Sequence, residues 1–165
     1  MVKSVLTVIG ENIHTTRVLR TNGKRVIRKE NGDEFVVYKN IDDITSFMPI
    51  PDFFKDTQVY KQGNVKHFMI AVTLGMSNSD EDRVHGESYI SAEIKRQEDR
   101  GSNFLDLNVD EISYKIDIQK KAMAWLIGHY SSVAKLPPCI DSSSVEIIQH
   151  GLECYRSVGS PQGPP

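Results

Sequence analysis

Apolar residues follow three different rhythms along the chain. Residues 5–9 (VLTVI) form an apolar run rich in β-branched side chains and ended by Gly10. A run without polar alternation predicts a strand covered on both faces, as in a parallel sheet. A second texture fills residues 18–85. Residues 25–28 and 35–38 flank Asn31-Gly32-Asp33, a turn signal that predicts a β-hairpin. Residues 41–54 contain Pro49 and Pro51, which interrupt any helix there. Residues 65–74 (VKHFMIAVTL) suit a strand or a buried helix equally, and residues 77–83 read as a polar loop. From Gly86 the pattern becomes regular. Tyr89, Ile90 and Ile94 mark one side of a helix reaching Arg100, with Glu93, Gln97, Lys95 and Asp99 on the other and Gly101 as its stop. Residues 104–109 (FLDLNV) form a strand. Met123, Leu126, Ile127, Tyr130 and Val133 give the apolar stripe of a second helix, which Pro137-Pro138 stops. Cys139-Ile140 is a short strand ending at Asp141. Ser143 to Glu146 fits a capping box, and Val145, Ile148, Leu152 and Tyr155 form the apolar face of a third helix.

The predicted order is therefore strand, insertion, helix, strand, helix, strand, helix. Alternation of this kind defines an α/β fold of right-handed βαβ units around a parallel sheet. The expected organisation is a first strand and loop at 1–17, an insertion at 18–85 and the regular units at 86–156. A Ser/Gly/Pro tail follows at 157–165.

Each predicted strand runs into polar residues: Glu11 and Asn12 after the first, Asp106, Asn108, Asp110 and Glu111 in and after the second, Asp141 and Ser142 after the third. In parallel α/β folds the ligand crevice lies beyond the carboxyl ends of the strands. A convergence of carboxylates and amides there suits a neutral heterocycle rich in hydrogen-bonding groups. It repels phosphate, whereas an amidine-like edge offers one carboxylate two parallel N–H donors. Asp106 is the hardest of these to explain as structure alone, because a strand-borne carboxylate between Leu105 and Leu107 needs a partner or an opening to solvent. Asp141 also suits the dipole of the helix it precedes.

Composition narrows the classes. The 165 residues carry a net charge of −2, which argues against a nucleic-acid partner. No apolar run approaches the roughly 20 residues of a membrane span, and the N-terminal run lacks a signal-peptide cleavage site. Cys139 and Cys154 cannot build a disulfide framework, so a cytoplasmic location is expected. The five histidines show no HxH or HExxH spacing, so no protein-built metal site is expected. His129 reads as a structural residue of its helix. No phosphate-binding glycine loop or nucleophile elbow occurs. The basic cluster Arg17, Arg20, Lys24, Arg25, Arg28 and Lys29 reads as a solvated hairpin face that could touch anionic groups.

The stretch 94–111 (IKRQEDRGSNFLDLNVDE) resembles the pterin-binding barrel family, as do Ala124-Trp125-Leu126 and 138–143 (PCIDSS) with the helix to Tyr155. Gly10-Glu11 also matches. The nearest branch looks like the corrinoid-linked methyltetrahydrofolate methyltransferases, including the folate module of cobalamin-dependent methionine synthase. The resemblance covers about residues 4–17 and 86–158 and leaves out the insertion. It implies the N-terminal part, about three βα units, of a TIM barrel with a folate pterin ring at its top. Carried over by position, Asp141 would be the pterin-binding carboxylate, Asp106 and Asn108 would line the same pocket with Asn108 bonding the ring, and Asn12 and Glu11 would complete the pterin-binding set. The implied substrate is methyltetrahydrofolate, the implied methyl acceptor a corrinoid on a partner protein or domain. Asn12, Ile13 and His14 depart from the methyltransferase pattern, and the Asn is reminiscent of dihydropteroate synthase on the same barrel. That cousin's second strand ends differently from Asp106-Leu107-Asn108. A barrel needs about 250 residues. The chain is thus expected to hold only part of the site, to be inactive alone, and to cover its open sheet edge with the insertion or by self-association. The contrasting expectation is a non-catalytic binding or assembly module on a degenerate barrel.

Overall fold

The computed structural model describes residues 6–158. The chain opens with β1 (Ile9–His14), then makes a long excursion. This contains β2 (Leu19–Arg20), β3 (Val26–Arg28), β4 (Glu34–Lys39), β5 (Thr45–Pro49) and the single-turn helices α1 (Asp52–Lys55) and α2 (Gln58–Lys61). It ends with β6 (Asn64–Val65) and α3 (His67–Gly75). Regular alternation follows: α4 (Asp80–Asp99), β7 (Phe104–Asn108), α5 (Ile116–Val133), β8 (Pro138–Asp141) and α6 (Val145–Val158). The architecture is mixed α/β. Strands β1, β7 and β8 form a three-stranded parallel sheet in that order, and the described residues form no closed barrel.

Period-two alternation gives this sheet two unlike faces. Ile13, Leu105 and Leu107 are fully buried in one core with Ile90 and Ile94 of α4 and Met123, Leu126, Ile127 and Tyr130 of α5. The paired residues Gly10 and Ile140 share this helix-covered face. A Cβ on Gly10 would overlap the Gln97 amide of α4, and one on Gly151 of α6 would press on Ile140 and Met123. The opposite face carries Asp106 and Asn108 of β7, Cys139 and Asp141 of β8, and His14 of β1.

The excursion contains the expected hairpin. β3 and β4 pair antiparallel around Gly32, whose φ of 89° supplies the left-handed turn residue. β5 adds to β4 as a third strand, so residues 45–49 are extended, with Pro49 at the strand's end where its missing N–H costs no ladder bond. A turn in which the Asn40 side chain accepts from the N–H groups of Asp42 and Ile44 joins them. The ambiguous run 65–74 resolves as helix α3 after one short bridge to β2.

Other boundaries move. The expected strand at 5–9 lies four residues later: pairing starts where β7 starts, at Phe104, so Val8 stays outside the ladder, its carbonyl accepting from the N–H groups of Asn103 and Phe104 and its N–H donating to the Asn103 side chain, and Leu6 is exposed. Val5 falls outside the described residues. Helix α4 begins inside the predicted loop, capped by Ser79 accepting from the Asp82 N–H, with Asp80, Glu81 and Asp82 favouring its N-terminus. Gly101, at φ 86°, donates to the Glu98 carbonyl while Ser102 donates to that of Gln97, a Schellman stop. Glu93 and Gln97, expected on the solvent side, are buried, Glu93 with Arg96 as its cation. Helix α5 ends at Val133, and Ala134 turns extended, before the prolines act. On α6 the inward residues are Ile147 and Gly151, whereas Val145 and Leu152 are exposed; the expected face was rotated. Ser144, not Ser143, opens that helix, its carbonyl accepting from Ile147 and Ile148, and Glu146 reaches Lys120 instead of closing a capping box. α6 continues through Ser157 and Val158, and the rest of the predicted tail is outside the described residues. The insertion strands build their own small sheets, so they do not cover the edges of the parallel sheet.

Candidate functional site

The polar face of the parallel sheet gathers its groups at the carboxyl ends of β1, β7 and β8. Asn108, buried at the end of β7, organises it. Its Oδ1 accepts from the Asp110 N–H at 3.0 Å and from the Thr15 hydroxyl at 3.4 Å. A backbone N–H can only donate, so the amide orientation is fixed and Nδ2 donates to Asp141 Oδ2 at 2.8 Å. Thr15, fully buried, accepts from the Glu111 N–H, and its own N–H donates to the Asn108 carbonyl.

His14 approaches the same Asp141 oxygen, its Nε2 at 3.4 Å. Nδ1 accepts from the Thr16 N–H at 3.3 Å, which leaves the ring proton on Nε2, facing the carboxylate. Asp106 lies one pleat below Asn108 and is buried. Its carboxyl is pushed up to about 6, first by burial and then by the negative charge of Asp141, with Glu11 adding to the same field and His14 opposing it. The Cys139 thiol, the register partner of Asp106, hydrogen-bonds to it and is itself raised by burial and by these carboxylates.

Glu11 and Asn12 sit in a bulge of β1, where one extra residue separates Gly10 from Ile13 relative to β7. The Glu11 carbonyl accepts two N–H groups of Arg17, at 2.8 and 3.0 Å, and its exposed carboxylate lies 3.7 Å from the same guanidinium. Glu11 is thus at the rim, and Asn12 has no register partner on β7. Asp110 adjoins Asn108 at the margin of the cluster. It accepts from the Ser142 hydroxyl and, at 2.7 Å, from the Ser143 N–H, tying the β7 loop to the start of α6; these bonds hold its carboxyl low despite burial. Glu111 pairs with Lys66.

The structure thus brings Asp106, Asn108 and Asp141 together, leaves Glu11 at the edge and Asn12 in the bulge, and adds Thr15, His14 and Cys139. His14 carries no local spacing signal because its companions come from other strands. Only the strand register, 14 to 108 and 108 to 141, could have found it. Donor atoms of His14, Asp106 and Asp141 lie within 4.8 Å of one another, an N,O,O set of the kind that divalent transition metals accept. His129, by contrast, is structural: it stacks on Trp125, and its Nε2 lies between the Ser91 hydroxyl and the Glu87 carbonyl. No helix among the described residues is long and apolar enough to cross a membrane.

Chemically, the cluster offers one carboxylate fixed by an amide, a second carboxyl that keeps a proton up to about pH 6, and an imidazole N–H. No family model matches the chain, and no solved structure matches it.

Proposed function

We propose that this chain forms the N-terminal part of a pterin-binding barrel and takes part in moving a methyl group from methyltetrahydrofolate to a reduced corrinoid held by a partner protein or domain. The observation that carries the reading is the convergence of Asp106, Asn108 and Asp141 on one face at the strand ends, with Asn108 and Asp141 bonded to each other. A pterin edge alternates N–H donors and acceptors. The carboxylate of Asp141 takes two donors, and the amide of Asn108 serves acceptors.

The methyl donor is a tertiary amine. When its N–CH₃ bond breaks, the electron pair stays on nitrogen, and that nitrogen needs a proton to leave. A reduced corrinoid, when bound, supplies the nucleophile that takes the methyl group. Asp106 is the residue suited to hold the proton, because burial and Asp141 keep its carboxyl protonated at a pH where an ordinary aspartate is ionised.

Calorimetry with methyltetrahydrofolate tests the reading. Saturable binding by the protein that is lost in Asp141→Ala supports it, and equal binding by both proteins overturns it. A second reading, a divalent-cation site, is favoured by the 4.8 Å grouping of His14, Asp106 and Asp141. Zn²⁺ binding that disappears in His14→Ala, with no heat from the folate, would select it.

A further inference from the structure

A concavity lies outside the strand-end cluster, between the β3-β4-β5 sheet and α4, with a volume of about 760 Å³. That is the size of a small-molecule site. None of its lining residues belongs to the cluster around Asp141.

The cations on its two walls differ in kind. On α4, Arg96 is bonded to Glu93 at 2.9 Å and Lys95 to Asp99 at 2.8 Å, so the helix wall is neutralised. On the sheet wall, Lys24, Arg25 and Lys39 have no carboxylate partner among the described residues. Lys39 donates to the Asp43 carbonyl at 3.0 Å. Arg25 donates from Nε to the Val37 carbonyl at 3.3 Å and from Nη2 to the Tyr89 hydroxyl at 2.6 Å.

That last contact is anchored in the core. Tyr89 is buried, and its hydroxyl also meets Nδ1 of the buried His67 at 2.9 Å. Burial and the positive charge of Arg25 keep His67 neutral, with its pKa lowered to about 3. The hydroxyl therefore accepts from Arg25 and donates to the imidazole, and the guanidinium is held in place by neutral groups only. A cation fixed by neutral acceptors keeps its whole charge for a ligand and pays little ordering entropy on binding. The Tyr38 ring, 4.8 Å from that of Tyr89 and anchored through its hydroxyl to Ser88, adds an apolar floor.

From this geometry we infer that the groove binds a compact oligoanion, a small molecule carrying two or more phosphate or carboxylate groups, with Arg25 as the fixed contact and Lys24 and Lys39 as mobile ones. In a chain of net charge −2, three cations against the single carboxylate of Asp43 on that wall leave a local positive field.

Calorimetry of the full chain at fixed ionic strength, with inorganic pyrophosphate in one arm and citrate in the other, tests the inference. Saturable one-to-one binding of either probe is expected, the tighter arm identifying phosphate or carboxylate as the source. Lys24→Ala with Lys39→Ala should weaken it about tenfold or more. Arg25→Gln should weaken it further, and if that variant does not fold the lysine pair decides alone. Lys120→Ala with Lys121→Ala on α5, and Asp141→Ala in the other site, should leave binding unchanged. No saturable binding of either probe, or equal weakening by the α5 pair, overturns the inference.

Discussion

The two faces of the parallel sheet are built from alternate residues of the same three strands, yet they obey opposite rules. On the helix-covered face Ile13, Leu105 and Leu107 lose all contact with water, and their contribution scales with buried area. On the other face Asp106, Asn108, Asp141 and His14 crowd charge and hydrogen-bonding groups together, and burial and the charge of Asp141 make ionised Asp106 costly. The first face holds the fold together, and the second draws on that stability to keep a reactive arrangement in place.

The contrast is broken most directly by truncation. Leu107→Ala should lower the unfolding free energy by about 3 kcal/mol in urea denaturation, because the surrounding helices cannot collapse into the space. Its neighbour Asp106→Asn should cost under about 1 kcal/mol at pH 7, since it relieves a like-charge contact. A loss for Asp106→Asn as large as that for Leu107→Ala would erase the distinction between the faces.

Acid sharpens it. His67 is neutral in the folded chain down to about pH 3 but titrates near 6.5 when unfolded, so its contribution is present above 6.5 and lost as the pH falls. Between pH 7 and 5 it should remove about 2 kcal/mol. Asp106 has the opposite sign. Its folded pKa of about 6 exceeds the ordinary value of 3.8, so the folded state takes up a proton first and gains about 1 kcal/mol over the same interval. Urea midpoints at the two pH values should therefore show a smaller acid loss in His67→Gln and a larger one in Asp106→Asn than in the parent chain. Identical pH differences in all three would rule out both assignments.

One polar residue sits on the wrong side of this division. Gln97 is buried against Gly10 on the helix-covered face with neither amide atom hydrogen-bonded. Gln97→Met keeps the shape and removes the unpaired groups, and should raise the unfolding free energy by about 1 kcal/mol. The smallest effect belongs to the surface. The Lys120–Glu146 pair is at the surface, and Glu146→Gln should leave the urea midpoint unchanged.

The regular half of the chain was legible because helix stripes and strand ends are local. Tyr89, Ile90 and Ile94, the stop at Gly101 and the turn at Gly32 all stand where spacing and glycine chemistry put them. Asp106, Asn108 and Asp141 were legible for the same reason, as polar residues breaking apolar strands. Boundaries set by partners were not. Residues 5–9 had the composition of a strand, but pairing depends on where β7 starts, almost a hundred positions away in the chain. The face of α6 depended on which side met α5, and four apolar residues in helical spacing could not say that Ile147 and Gly151 would face inward. His14 was invisible because its significance lies in the register between strands. Residues 41–54 were legible only as an interrupted helix, because prolines exclude helix interiors without declaring what replaces them, here strand β5 and a single helical turn.

The junction of α3 with α4 has a kinetic consequence. A side chain at Gly86 would overlap the backbone of Ala71 and Gly75, so these two helices touch main chain to main chain within a span of some 30 residues. The first contact of β1 with its sheet, Val8 with Asn103, closes a loop of 95 residues. Loop closure of that length is entropically slower than a local helix–helix contact. The excursion and α4 are therefore expected to assemble first, with β1 arriving last on a surface already formed. The strand that delivers His14 and Thr15 to the polar cluster would then complete the site only in the final step of folding.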